Sequence, residues 1–399
     1  MNKNLVKDRD IIMLGIQPWD LDIGHNFKNM AKVICKHNRV LYVNRPLDRF
    51  TKWKKPEDIK TQNRLKSIKH GIEVLQEIEE NLFIFNPQTI LSSVNRLPHN
   101  FIYKYFNKRN NKKLAAEIDK ASKKLNFKNP ILFIDNDFLN GLYLQDFLDV
   151  DITLYYLRDY LLAQPYFYKH GKFAEPELIK KVDIVVSNSL YLNSYAKNIN
   201  EKSFYTGQGC GDDYFVKPDL VPEEIKNIKN PIIGYCGFLT SMRLDINLIE
   251  SIAIERKDWN FVLVGPEDED FKNSSLHNLE NVLFTGGKME SQLPGFVHNF
   301  DVCLNPQIVN QLTIGNYPRK VDEYLAAGKP VVATRTETME AFADCTYLCN
   351  GKDEYINAIE NALKFDSEEN KQKRVSVARS HSWPKTVEKV YEAINSLNS

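Results

Sequence analysis

The sequence predicts an α/β protein made of two Rossmann-like domains facing each other across a cleft. Short apolar runs alternate with helical patterns along the whole chain, which is the βαβ rhythm of a parallel sheet. That rhythm stops at a polar, proline-punctuated segment and then restarts, as expected at a domain boundary. The 399 residues, 43% hydrophobic and 26% charged, are enough for two domains with cores of their own.

In the first half, DIIMLG (10–15) is the opening strand, a helix follows near 25–37, and RVLYVN (39–44) is the second strand. NLFIF (81–85), ILFID (131–135), ITLYY (152–156), DIVVSN (183–188) and SFYT (203–206) continue the series, with helices between them. Residues 1–215 thus read as one Rossmann-like domain. VKPDLVPEEIKNIKNP (216–231) lacks strong apolar periodicity, so 216–230 reads as a linker. The second domain, 231–383, restarts with IIGYCG and continues with FVLVG (261–265), VLFTG (282–286), DVCLNP (301–306), PVVAT (330–334) and TYLC (346–349). Its helices include 244–257 and 352–365, each apolar on one face. Residues 384–399 read as a terminal helix with Pro384 in its first turn, packing back on the first domain.

The net charge of +1 conceals an asymmetry: residues 1–217 carry 34 Lys+Arg against 25 Asp+Glu, and 218–399 carry 19 against 27. Much of the basic excess lies in 45–128, where lysines and arginines interleave with Trp53, Phe101, Tyr103, Tyr105 and Phe106. Such a stretch suits either an anionic membrane surface or a long helix that solvates its charges and turns its aromatics inward. No nucleic-acid motif accompanies it. The N-terminus has no apolar leader, no run is long enough to span a bilayer, and the six scattered cysteines read as reduced thiols, which together point to a cytoplasmic protein.

Candidate site residues fall at strand ends. Gly234 and Gly237 close the IIGYCG strand and let backbone amides approach an anion, with Arg243 placed to pair with a diphosphate. The same glycines also suit a tight strand exit. Gly286 ends another strand, where a nucleobase can lie against exposed backbone. In PRKVDEYLAAGKPVVAT (318–334), Pro318 and Lys320 precede the acid Glu323, whose carboxylate can accept both ribose hydroxyls or serve the helix dipole. In the first domain, GIQPWDLDIGHNF (15–27) puts Trp19, Asp20, Asp22 and His25 after the first strand, where Asp20 or His25 can take a proton from an acceptor hydroxyl; Asp22 and His25 also suit capping and local packing. Arg158 and Asp159 follow another strand as cleft residues or as an ion pair, and Gly209 in GQGCGDDYF (207–215) suits close ligand approach or a hinge.

Together, PRKVDEYLAAGKPVVAT, GYCG with RLD soon after it (234–245), FVLVGP (261–266), GQGCGDDYF and a terminal HSW (381–383) resemble a GT-B fold glycosyltransferase of the family-4-like group, of the type that builds bacterial teichuronic acid and exopolysaccharide. The resemblance covers most of the chain. It implies a UDP- or GDP-sugar donor on the second domain, with Glu323 at the ribose and the Gly237 and Arg243 region at the phosphates. A glycan or lipid-linked glycan acceptor would enter from the first domain, at the inner face of the cytoplasmic membrane. It also implies that no metal is required, since cationic side chains and helix N-termini neutralise the leaving diphosphate. Asp135 and Asp137 have metal-dyad spacing and read instead as strand-end acids.

Two positions depart from the pattern. Gly315 stands where many retaining members place a second glutamate, and Ser241–Leu244 replace a lysine-glycine pair. A retaining reaction is expected from the resemblance alone. The alternatives are a UDP-sugar epimerase of the same shape and a non-catalytic sugar-nucleotide-binding partner of a polysaccharide assembly.

Overall fold

The computed structural model describes residues 5–20, 25–54, 57–229 and 231–398. The chain divides into two compact units: Met1–Thr206 with Val387–Ser399, and Gly207–Thr386.

The first unit holds an eight-stranded sheet: β1 Asp10–Gly15, β2 Arg39–Val43, β3 Leu75–Glu79, β4 Leu82–Phe85, β5 Ile131–Asp135, β6 Ile152–Leu157, β7 Ile184–Ser187 and β8 Ser203–Tyr205. The order is β3-β4-β2-β1-β5-β6-β7-β8, and every pair is parallel except β3 with β4. β1, β5 and β6 are buried at every residue, because helices cover both faces of a parallel sheet. The chain order reverses across the β1/β5 pair, so that strand-end crevice is where an open α/β sheet takes a ligand.

The second unit holds six parallel strands: β9 Ile232–Cys236, β10 Asn260–Val264, β11 Val282–Gly286, β12 Val302–Asn305, β13 Val331–Thr334 and β14 Tyr347–Cys349. Their order, β11-β10-β9-β12-β13-β14, is the dinucleotide-fold order with its switch point between β9 and β12. Val262, Val264 and Cys303 face one core cluster, and Phe261, Val302 and Leu304 face another, as the period of two in a strand requires.

Several expectations change. Residues 207–230 group with the second unit and are not a separate linker: Cys210, Tyr214 and Ile225 are buried in its core, and His298 is hydrogen-bonded to the Tyr214 carbonyl. Residues 207–215 thereby leave the first domain. The final helix runs Trp383–Asn395, and its portion from Val387 belongs with the first unit, where Tyr391 Oη accepts from Asn38 Nδ2 at 3.0 Å. Strand β3 and the helix Glu368–Ser380 lie in stretches with no strong apolar signal. LQEIE is mostly exposed at a sheet edge, and the helix is mostly solvated, docking through Arg374 onto the Gly328 carbonyl.

One buried acid makes the first unit pH-sensitive. Glu175, enclosed under β6, accepts from Tyr155 Oη at 2.9 Å and Tyr195 Oη at 3.3 Å. Burial pushes its carboxyl up from 4.5 to about 7, against the lowering effect of the two tyrosines. The folded state therefore holds a proton that the unfolded chain has lost, so stability falls as pH rises from about 4.5 to 7 and is level above that. Glu175→Gln is expected to flatten this fall, worth on the order of 3 kcal/mol, in unfolding curves taken across that range. An identical slope in the variant would clear Glu175 of the effect.

Candidate donor and acceptor sites

In the second unit, three adjacent strands end in glycines that the backbone stitches together. Gly237 N donates to Val264 O at 2.8 Å, and Gly265 N donates to Gly286 O at 3.0 Å. Gly237 (φ 147°) and Gly265 (φ 149°) lie where side-chain-bearing residues rarely go, and a Cβ on Gly265 would overlap the Gly237 carbonyl. Gly286 (φ 69°) is a turn glycine with open space where a Cβ would stand. Gly234, by contrast, gives its missing side chain to the Phe300 ring and belongs to the core.

The helix Arg319–Ala326 is fixed against this edge by its own residues. Pro318 forms its N-cap and Gly328 (φ 73°) follows its C-terminus in the left-handed conformation. Tyr324 Oη accepts from Cys236 N at 2.9 Å, tying the helix to the end of β9. On another side, buried Asp322 meets His381 Nδ1 at 2.8 Å, and Tyr317 Oη lies 3.3 Å from the same nitrogen. Burial pushes the Asp322 carboxyl up, with His381 and Tyr317 opposing it. The HSW turn thus anchors this helix.

Lys320, in the first helical turn, lies directly against Gly237, where a Cβ would overlap its Cε. Its Nζ is 5.5 Å from the Tyr235 ring centroid, and among the described residues it has no carboxylate partner. Next to it, Arg319 Nε stands 2.7 Å from Glu323 Oε1, and Arg319 Nη2 donates to Glu290 Oε1 at 3.1 Å. Burial acts to lower the Arg319 pKa, but Glu323 and Glu290 overcome it and hold the group raised. Arg243 is half-buried in the turn after β9, and its carbonyl accepts from Ile308 N at 2.9 Å beyond β12. Asp245 caps the next helix through Leu248 N.

Gly237, Lys320, Arg319 and Glu323 are therefore one cluster around the end of β9, with Gly286 two strands away. A cation with no carboxylate partner among the described residues, set against a glycine strand exit, suits a phosphate, and a carboxylate one turn further along the helix suits a sugar hydroxyl. Gly237→Ala is expected to displace Lys320, weaken diphosphate binding at least about tenfold and cost roughly 1–3 kcal/mol of stability from backbone strain. Calorimetric titration and thermal unfolding measure the two; unchanged values in both would show that Lys320 does not need the glycine.

In the first unit, the switch point between β1 and β5 carries a buried ionic cluster. Arg158 Nε donates to Asp135 Oδ1 at 2.7 Å, Nη1 to Asp159 Oδ2 at 2.7 Å and Nη2 to Gln17 Oε1 at 3.1 Å. Asn136 (φ 49°) turns its side-chain oxygen back to Arg158 N at 2.8 Å and Asp159 N at 3.3 Å. Burial raises the Asp135 carboxyl against the pull of Arg158. It works in the opposite direction on Arg158, where Asp135 and Asp159 overcome it and leave the guanidinium raised.

The other first-unit candidates have local partners. His25 caps Asn26–Ile34, its Nδ1 accepting from Lys28 N at 3.3 Å, so it must give up that bond to accept a proton there. Asp20 pairs with Arg64 Nη2 at 2.7 Å at the surface. Trp19 packs edge-on against Tyr42 and bonds through its backbone to Asn44 and Lys28. Asp22 lies outside the described residues. Asp137 caps a short helix at Phe138–Gly141 through Asn140 N. Gly209 falls in the second unit, not the first, and the space a side chain would take there is filled by Trp383. Asp135, Gln17 and Arg319 complete these clusters and were missed as site residues. The i, i+4 spacing of Arg319 and Glu323 was a readable signal for that pair.

Residues 230–364 match the family model described as glycosyl transferases group 1, a stretch that contains the whole β9–β12 edge and the Glu323 helix. This region is a glycosyl transferases group 1 domain. The chain is 27% identical over 225 residues to a protein of Bacillus subtilis (strain 168) named as the teichuronic acid biosynthesis glycosyltransferase TuaH. That match takes in 53% of this chain and 56% of TuaH, so it spans little more than half the length of the relative. Among solved structures, sucrose-phosphate synthase from Thermosynechococcus elongatus superposes with a TM-score of 0.65 at 14% identity, covering 98% of this chain and 99% of that one. Anabaena HepE in complex with UDP gives 0.65 at 14% identity, with 97% and 100% covered. The fold of the two parallel-sheet units is the GT-B type, with the group 1 domain in the second.

Proposed function

We propose that the protein is a glycosyltransferase that moves a sugar from a UDP- or GDP-sugar to a glycan or lipid-linked glycan in bacterial surface polysaccharide synthesis. The observation that carries this reading is Lys320, a cation with no carboxylate partner among the described residues, held against Gly237 at the end of β9 inside the group 1 domain. The likeness to TuaH supports the polysaccharide acceptor, and the fold shared with HepE, whose structure holds UDP, supports the donor class.

In this reading Lys320 and the Gly237 backbone take the diphosphate, with Arg243 beside them, while Glu323 takes the ribose and Gly286 lies under the base. The bond from the anomeric carbon to the diphosphate oxygen breaks, and the electron pair leaves with the nucleoside diphosphate. Lys320 stabilises that charge electrostatically, without a metal. The acceptor oxygen bonds to the anomeric carbon on the face from which the diphosphate departs, and its proton passes to the departing phosphate oxygen; a protein base such as Asp159, Asp20 or His25 is needed only for an inverting reaction. Retention of configuration is the stereochemistry we assign. A lipid-linked acceptor places the reaction at the inner face of the cytoplasmic membrane.

The test is incubation of the protein with labelled UDP- and GDP-sugars and a bacterial lipid and glycan extract. Release of nucleoside diphosphate with label moving into the extract is the expected result. Label that stays on a nucleotide but on a changed sugar would make the protein an epimerase. Tight donor binding with no turnover on any acceptor would make it a sugar-nucleotide-binding partner, as Gly315 in place of an acid would suit.

A further inference from the structure

We propose that one face of the first unit, formed by the helix Arg49–Lys54, the segment 92–97, the start of the helix Asn100–Lys124 and the start of the helix Pro165–Lys181, docks on a bilayer containing anionic phospholipid. This names the surface for the membrane contact in the preceding reading, and rests on that reading only in choosing a bilayer over another polyanion.

The pieces are distant in sequence and joined in space. The Arg96 guanidinium lies 3.3 Å from the Phe50 ring centroid, and Phe50 is 5.9 Å from Trp53. Lys169 Nζ donates to Arg96 O at 3.2 Å, and the Asn95 side chain bonds to Tyr166 O. His170 joins Asn100 Oδ1 at 2.9 Å to Leu97 O at 2.8 Å.

Two properties mark the face. The first is charge: residues 49–56, 81–116 and 160–174 contain no aspartate or glutamate, while Arg49, Lys52, Lys54, Arg96, Lys104 and Lys108 all stand exposed. The acid just before them, Asp48, is committed to Ser93, Thr51 and Phe50 N. The second is aromatic exposure. Trp53 is 76% exposed, Phe101 72% and Tyr105 65%, with Tyr166 and Tyr168 half exposed. The inward-pointing alternative holds for Tyr103, which is buried, and fails for these.

Between the pieces lies an open recess of about 480 Å³, flanked by Arg49 and Arg96 and floored by Phe50, Leu97 and Phe106. Two guanidinium groups over an apolar floor suit a headgroup phosphate with its glycerol end, while indole and phenyl rings enter the interfacial layer. Among the described residues no helix is long and apolar enough to cross a membrane, so this is contact along a surface.

The test is co-sedimentation of the full chain with vesicles of phosphatidylglycerol and phosphatidylcholine, and with phosphatidylcholine alone, at low salt and at 0.5 M salt, with no donor present. Binding is expected to need phosphatidylglycerol and to weaken with salt. The Lys52→Gln, Lys54→Gln, Lys104→Gln triple variant is expected to lose about fivefold per charge removed, roughly a hundredfold together. Trp53→Ala with Phe101→Ala should weaken what remains at high salt. All five positions are exposed, and a circular dichroism spectrum matching the unmodified chain checks the fold. No binding to phosphatidylglycerol vesicles, equal binding to neutral vesicles, or a triple variant within twofold would overturn the proposal. So would release from the vesicles by RNA at equal phosphate concentration, which would give the face to nucleic acid. Since no sugar donor enters the assay, either result leaves the donor reading to its own test.

Discussion

Replacing Glu323 with alanine is expected to raise the dissociation constant for the bound nucleoside diphosphate about 10- to 100-fold. Hydrogen bonds from ribose hydroxyls to a carboxylate are charge-assisted and are worth roughly 1.5–3 kcal/mol. The carboxylate is nearly buried and already oriented by Arg319, so little ordering is left for the ligand to impose. Arg319 keeps Glu290 in the variant, and Asp322 and Tyr324 still anchor the helix, so the fold should persist. Calorimetry on both proteins, with thermal unfolding as a control, measures this. Equal affinity would remove Glu323 from the binding site.

The second large effect is on stability. Arg158→Met should destabilise the first unit by about 3–5 kcal/mol, because it leaves the fully buried Asp135 carboxylate without its cation. Adding Asp135→Leu should recover much of the loss, since an apolar pair of similar volume avoids the buried charge. Denaturant unfolding followed through the first unit's transition provides the numbers. A loss below about 1 kcal/mol in the single variant would contradict the burial of this ion pair as a determinant of stability.

What the sequence disclosed follows from the range of each interaction. β1, β5, β9 and β10 were readable because strands buried on both faces are continuous apolar runs bounded by turn residues. β3 was not, since an antiparallel edge strand with alternating charge looks like a loop. In the donor region, Gly237 and Lys320 were each recognisable from local motifs, but their contact joins residues more than eighty positions apart. Gly209 and Gly234 carry the same local signal as Gly237, and only the tertiary neighbours, Trp383 and the Phe300 ring, show that their space is taken. The Asp135–Arg158 and Asp322–His381 pairs were hidden for the same reason: each spans several elements and nothing local marks one partner for the other.

The most direct test of the donor reading is calorimetric titration of the unmodified full chain with UDP, GDP, ADP and CMP. One nucleoside diphosphate should bind at least about tenfold more tightly than CMP, the gain expected from a second phosphate paired to Lys320. Failure of every nucleotide to bind, or CMP binding as tightly as the best diphosphate, would contradict the assignment of the Gly237–Lys320 edge to a diphosphate.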